Sequence, residues 1–121
     1  MSTVIRLFLL LEGASYVVAS LIHSGLIVDG YQHRSASTAE GVIAVVLLVG
    51  LALTWVWPGQ TRSIGFAVQA FAMLGTLVGA FTIAIGIGPR SIPDLAYHLT
   101  MLAVLAGGLV VASGQTKLAP G

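Results

Sequence analysis

Long apolar segments and short polar breaks alternate along the chain. Four apolar segments are long enough to cross a hydrocarbon core, which takes about 20 helical residues. We place these segments at about residues 4–28, 38–57, 63–87 and 92–113. The breaks are short, and short connections join helices that run antiparallel. The pattern therefore predicts an all-α polytopic membrane protein, with four transmembrane helices in an up-down-up-down antiparallel bundle.

The composition favours a membrane environment over water. Of the 121 residues, 57% are hydrophobic and 7% are charged, whereas a soluble domain has about 25% charged residues. The length fits a single transmembrane domain over residues 1–121, with a disordered tail over 114–121. The first apolar segment contains Glu12 and is longer than a signal-peptide core, so we expect it to be retained as a helix.

Charge and cysteine content limit the partners. The net charge of +1 gives no reason to expect nucleic acid, and the lack of cysteine excludes disulfides and thiolate ligands. The lipid bilayer is the expected partner. Arg6, Arg62 and Lys117 fall on the side of the termini, and Arg34 and Arg90 fall on the other side. This small excess of positive charge predicts that both termini are cytoplasmic.

Small residues recur along the third helix. The positions spaced seven residues apart are Gly65, Ala72, Gly79 and Gly86. Gly75 adds a small-xxx-small pair with Gly79. Small residues allow helix backbones to approach closely within lipid. The stripe predicts either packing inside the bundle or an interface between copies in a homo-oligomer.

Two histidines from different helices are predicted to reach similar depths. At about 1.5 Å per residue, His23 lies about 8 Å before the end of the first helix, and His98 lies about 9 Å after the start of the fourth. Because the helices alternate in direction, both fall in the half of the membrane away from the termini. A buried imidazole either bonds a neighbouring helix, ligates haem or a divalent metal, or carries a proton. Asp94 lies one turn before His98 and would orient that ring.

The helix ends carry capping signals. Ser37 with Glu40, and Ser91 with Asp94, have the spacing of a capping box, which satisfies the first backbone amides of a helix. Gly30 is predicted to provide a left-handed cap at the end of the first helix. A capping carboxylate keeps a free oxygen, so both acids are also candidate ligands. The candidate metal or haem set is His23, His98, Asp94 and Glu40.

Glu12 stands in the other half of the membrane, about 12 Å inside the start of the first helix. It shares one helical stripe with Ser15, Ala19 and His23, and this stripe is expected to face the bundle interior or an oligomer interface because lipid would reject it. Gln69 on the third helix is predicted at a comparable depth, within hydrogen-bonding reach of Glu12. Glu12 and Gln69 are therefore candidates for either a structural pair or proton or ion coupling.

Three classes of function stay open. The leading hypothesis is a non-catalytic accessory or interaction subunit of a larger membrane complex, or a homo-oligomeric membrane component. The alternatives are a metal- or haem-binding electron-transfer protein that uses His23 and His98, and a small proton-coupled transporter or channel that uses Glu12. An independent enzyme is disfavoured, because no nucleophile is spaced from a base in a recognisable way and no nucleotide-binding, hydrolase or zinc-protease motif occurs.

Overall fold

Four long α-helices make up the protein, as a computed structural model describes it for residues 1–114. They are α1 Ser2–Ser24, α2 Arg34–Val56, α3 Thr61–Ala84 and α4 Ile92–Ser113, with a 3-10 turn at Pro58–Gln60. Each helix is long and apolar enough to cross a membrane. The predicted all-α class with four such helices is confirmed for the described residues, none of which lies in a strand. Beyond Gly114, the predicted disordered tail lies outside the described residues.

Two helices end earlier than the sequence predicts. α1 ends at Ser24 because Gly25 adopts a left-handed φ of 83° and its N–H bonds to the carbonyl of Ile22. The predicted cap, Gly30, also has a positive φ of 95° but lies in the following loop, so that prediction is wrong. α3 ends at Ala84. Gly86, predicted as a helix-packing position, instead occupies the following turn with a φ of 89°.

α2 begins earlier than predicted, and its cap is a different residue. The side chain of His33 caps the helix, with Nδ1 accepting a hydrogen bond from the backbone N–H of Ala36 at 3.1 Å. The predicted capping box of Ser37 and Glu40 is therefore wrong, since both residues lie inside the helix. The Ser37 hydroxyl donates to the backbone carbonyl of Ser20 instead. Glu40 is thereby available for a contact with another helix.

α4 begins as predicted, with its capping box in place. The Asp94 N–H donates to the Ser91 hydroxyl oxygen, and the Ser91 N–H donates to Oδ2 of Asp94, each at 3.2 Å. Pro93 lies in the first turn, where its missing N–H leaves no helical hydrogen bond unmade. The cap engages one carboxylate oxygen of Asp94 and leaves the other free to bond a different helix.

The helices lie side by side, and polar contacts join neighbouring segments at both ends of the bundle. Each helix contacts the next in the chain, and α1 also contacts α4. Near the start of α1, the Arg6 side chain donates to the hydroxyl and backbone carbonyl of Thr54 near the end of α2. At the other end, Nε2 of His33 donates to the carbonyl of Ile87 at 3.1 Å. That bond joins the loops 25–33 and 85–91, and we call this side of the protein the loop end.

The small residues of α3 face other helices of the same chain. A Cβ atom at Gly65 would lie 2.6 Å from Ile5 of α1, and one at Gly75 would lie 2.8 Å from Ile43 of α2. A Cβ at Gly79 would lie 2.8 Å from the His98 ring of α4. Ala72 is fully buried. These contacts favour packing within one chain, and the homo-oligomer interface stays a prediction.

Replacement of Gly50 by alanine is expected to destabilise the fold. A Cβ at Gly50 would lie 2.7 Å from the branched side chain of Val68 on α3, which has little freedom to move away. Such overpacking destabilises the fold by about 1–3 kcal/mol. This loss exceeds the stabilisation of roughly 0.5–1 kcal/mol that alanine otherwise gives when it replaces a glycine within a helix. Thermal unfolding in mild detergent measures the difference. Gly59→Ala is the control, because no atom lies within 4 Å of a Cβ there; equal unfolding temperatures would contradict tight α2–α3 packing.

Candidate functional site

The imidazole of His23 lies between two carboxylates from two other helices. Its Nδ1 is 2.6 Å from Oε1 of Glu40 on α2, and its Nε2 is 2.7 Å from Oδ1 of Asp94 on α4. The exposed fractions of these residues are 4% for His23, 6% for Glu40 and 8% for Asp94. We call these three side chains the carboxylate–histidine array. Three of the four predicted ligand residues therefore meet, but as a hydrogen-bonded array.

Local structure around the helix ends positions the array. His23 lies in the last turn of α1, and its backbone carbonyl accepts the N–H of His33 at 2.8 Å. The hydroxyl of Ser20 donates to the carbonyl of Ser37 at 2.7 Å, which holds the start of α2 against the end of α1. These two hydrogen bonds hold the first turn of α2 against the last turns of α1. Glu40, in the next turn of α2, lies on the face of that helix that contacts His23.

The two contacts of His23 require two shared protons. A neutral imidazole has one N–H, and an ionised carboxylate has no proton to donate. Each short N···O contact needs one proton, so either the ring is an imidazolium or one carboxyl group is protonated. The array then carries one net negative charge in either case. Removal of one proton would leave a nitrogen lone pair facing a carboxylate oxygen.

His98 lies beside the array but does not belong to it. Its Nδ1 donates to the backbone carbonyl of Asp94 at 2.9 Å, so the predicted contact between these residues is made through the backbone. In a neutral ring, Nε2 is then a hydrogen-bond acceptor. That atom lies next to Gly79 of α3, where the missing side chain makes room for it. The Tyr97 ring packs edge-on against His98, with centroids 5.9 Å apart.

The donor set does not fit a metal or haem held by His23. Both ring nitrogens of His23 face carboxylates, so ligation would break one of the two hydrogen bonds. Over residues 1–114, no three His, Asp or Glu side chains are grouped so that they could hold a metal ion. The predicted set of His23, His98, Asp94 and Glu40 gathers at one place, and its geometry supports proton sharing.

Two cavities flank the array. A cavity of about 470 Å³ lies between α2, α3 and α4 and reaches the loops, and Glu40 and His98 are in its wall. We call it the loop-end cavity. A groove of about 600 Å³ runs between α1 and α4, with His23 and Asp94 in a wall that is otherwise mainly apolar. Tyr97 borders both spaces. The array therefore lies between a cavity with a partly polar wall and a mainly apolar groove.

Glu12 and Gln69 are both fully buried but do not bond each other. Neither carboxyl oxygen of Glu12 has a partner among residues 1–114. Nε2 of Gln69 donates to the carbonyls of Gly65 at 3.0 Å and Gly108 at 3.3 Å, so the predicted bond to Glu12 is wrong. An isolated charge is far costlier in such surroundings than a neutral acid. Glu12 is therefore expected to be protonated.

Several contributing residues were not predicted. Tyr16 lies on the same buried stripe as Glu12, and its hydroxyl bonds the hydroxyl of Thr76 on α3. Its spacing of four residues from Glu12 was a signal that sequence reasoning did not use. His33 bridges two loops through the carbonyl of Ile87, and nothing in its surroundings along the chain indicated that contact.

Comparisons of the chain with family models, with curated proteins and with solved structures find no match. The chemistry of the site therefore follows from its geometry. The two short N···O contacts of the His23 ring, each of which needs one proton, lie in a buried position beside a cavity of about 470 Å³.

Removal of the His23 ring is expected to destabilise the fold through its partners. In His23→Ala, two carboxylates would face each other in apolar surroundings, and loss of one member of a buried ion pair destabilises by about 3–5 kcal/mol. The double variant His23→Ala/Glu40→Gln removes the repulsion. It is expected to be more stable than His23→Ala alone, although it carries a further substitution. Denaturant unfolding in detergent, with Glu40→Gln as the reference, measures the coupling. Additive losses would show that His23 and Glu40 do not interact.

Glu12 is expected to react with dicyclohexylcarbodiimide, an apolar reagent that adds to protonated carboxyl groups. Intact mass and peptide mapping locate the adduct, and Glu12→Gln is the matched control that should lose it. Labelling that is identical in the wild type and Glu12→Gln would show that Glu12 is ionised or inaccessible to the reagent.

Proposed function

We propose that this chain is a small proton-coupled carrier of the membrane, in which the carboxylate–histidine array binds the coupling proton. Four helices that are long and apolar enough to cross a membrane support insertion as an antiparallel transmembrane bundle. By sequence, the side of the termini carries Arg6, Arg62 and Lys117 and the other side carries Arg34 and Arg90. This small excess supports an orientation with both termini cytoplasmic. In that orientation the loop end faces the opposite side of the membrane.

The observation that carries this proposal is the pair of hydrogen bonds from one imidazole to two helices. With both shared protons present, His23 holds Glu40 of α2 and Asp94 of α4 against α1. Loss of one proton turns one attraction into a repulsion between lone pairs. The positions of α2 and α4 therefore depend on the proton content of the array, which is the coupling that a carrier needs.

The groups around the array are suited to proton exchange. The titratable side chains that share the wall of the loop-end cavity with Glu40 are His98 and Tyr97 from α4, Tyr16 from α1 and His33 at the start of α2. In the described part of α3, the only titratable side chain is Arg62, at the opposite end of that helix. A proton or a solute that reaches Glu40 through the loop-end cavity therefore competes for one carboxylate.

Glu12 provides a second protonatable group at a different depth. It lies eleven residues before His23 on α1, which is about 16 Å along the helix axis. The hydrocarbon core is about 30 Å thick. A proton that crosses it through Glu12 and the carboxylate–histidine array therefore moves in steps shorter than the whole core. Tyr16, one turn after Glu12, borders the loop-end cavity between them.

The predicted role as an accessory subunit or homo-oligomeric component stays a separate hypothesis. The exposed apolar side chains on every helix fit lipid contact as well as protein contact. Co-purification with larger membrane proteins in mild detergent distinguishes that hypothesis from a carrier that works alone.

A proton-concentration jump tests the proposed function. Proteoliposomes adsorbed on a solid-supported membrane are exposed to a rapid acidification, and the displaced charge is recorded. The wild type is expected to give a transient current, because a proton entering the array crosses part of the membrane. The variant Glu40→Gln/Asp94→Asn should fall to the level of empty liposomes, whereas Gly59→Ala should match the wild type. A wild-type response equal to that of empty liposomes would refute proton binding from the aqueous phase.

A further inference from the structure

Three hydroxyl groups in the wall of the loop-end cavity already donate to protein acceptors. The Thr76 hydroxyl donates to the carbonyl of Ala72 at 2.7 Å, so the Tyr16 hydroxyl must donate to Thr76. The Thr82 hydroxyl donates to the carbonyl of Gly79 at 2.7 Å. None of these protons is available for a molecule in the cavity.

The histidine N–H groups in the same wall are engaged as well. Nε2 of His33 donates to the carbonyl of Ile87, and its Nδ1 accepts the helix-capping bond of α2. Nδ1 of His98 donates to the carbonyl of Asp94. The cavity therefore offers few N–H groups to a solute that would need to accept hydrogen bonds, such as a carboxylate or phosphate.

Acceptor atoms in the wall are left without partners. Among the described residues, nothing bonds Nε2 of His98 or the second carboxylate oxygen of Glu40, whose first oxygen is held by His23. The buried Tyr97 hydroxyl, which can accept as well as donate a hydrogen bond, has no partner among residues 1–114. These three residues border one cavity of about 470 Å³.

The electrostatic balance of the cavity is negative. Glu40 belongs to an array with one net negative charge, and no Lys or Arg side chain is in the described part of the cavity wall. The aromatic faces of Tyr16 and Tyr97 also attract cations. A solute that is positively charged and rich in N–H donors would complement the unpaired acceptors, and an anion would be repelled.

We propose that the loop-end cavity binds a small organic cation through its ammonium group, with N–H bonds to Glu40 and His98. Charge-assisted hydrogen bonds of this kind are the stronger class in proteins. The apolar part of the cation would pack against Ile43 and Val78 in the same wall. The volume lies within the range of about 300–1,000 Å³ that small-molecule sites occupy. This assignment rests on the proposed carrier function, for which it supplies the class of solute.

Calorimetric titration of the protein in lipid nanodiscs tests the assignment with three benzyl compounds of similar shape. Benzylammonium has charge and N–H donors, benzyltrimethylammonium has charge without N–H donors, and benzyl alcohol has no charge. Benzylammonium is expected to bind saturably and more tightly than both others. Its affinity should fall on acidification, because protons compete for Glu40. Equal affinity for all three probes, or no saturable binding of benzylammonium, would overturn the assignment.

Two variants link binding to the named acceptors. His98→Leu removes one acceptor without changing the charge of the array, and the loss of a hydrogen bond to a charged group should weaken benzylammonium roughly ten- to a hundredfold. Glu40→Gln, which keeps the side-chain shape, is expected to weaken it at least as much. Gly59→Ala should leave the affinity unchanged. Wild-type affinity in both cavity variants would place the cation elsewhere and refute the proposed site.

Failure of this assignment and failure of the carrier function have different signatures. Proton-jump currents without benzylammonium binding would retain the carrier and reject the cation. Benzylammonium binding that depends on Glu40 and His98, without any proton-jump current, would support the cation site and reject proton coupling.

Discussion

The two hydrogen bonds of the His23 ring join three helices at a depth where an unpaired charge would be strongly unfavourable. Glu40 and Asp94 come from helices that meet through this ring, and each carboxylate is compensated there. The neighbouring helix ends bring both carboxylates to the His23 ring. The Asp94 cap directs one oxygen inward, and the early start of α2, capped by His33, brings Glu40 into reach. The array and the helix ends are therefore a single structural unit.

This unit also lies between the loop-end cavity and the apolar groove. Glu40 borders the loop-end cavity, whereas His23 and Asp94 border the groove between α1 and α4. In the proposed carrier, a shift in proton content acts on both helices that line these spaces. Gly79 makes room for the His98 ring beside the array, since a larger residue at position 79 would clash with that ring. Packing and protonation are thus controlled by the same few contacts.

Local patterns in the sequence were sufficient for most of the fold. Apolar length identified all four helices, and the Ser91–Asp94 spacing identified the cap of α4 because a capping box uses residues of one helix turn. The same spacing at Ser37 and Glu40 was misleading. There the carboxylate bonds His23 instead of a backbone amide, and an interaction between helices outweighs a local one.

The sequence by itself determined that four apolar helices exist and that His23, His98, Glu40 and Asp94 gather at one end, because helix length and alternation require only local information. Only the tertiary structure decided which of them touch. Side-chain pairing depends on the rotation of each helix about its axis, and packing against neighbouring helices sets that rotation. This is why His23 rather than His98 holds both carboxylates, and why Glu12 is buried without reaching Gln69.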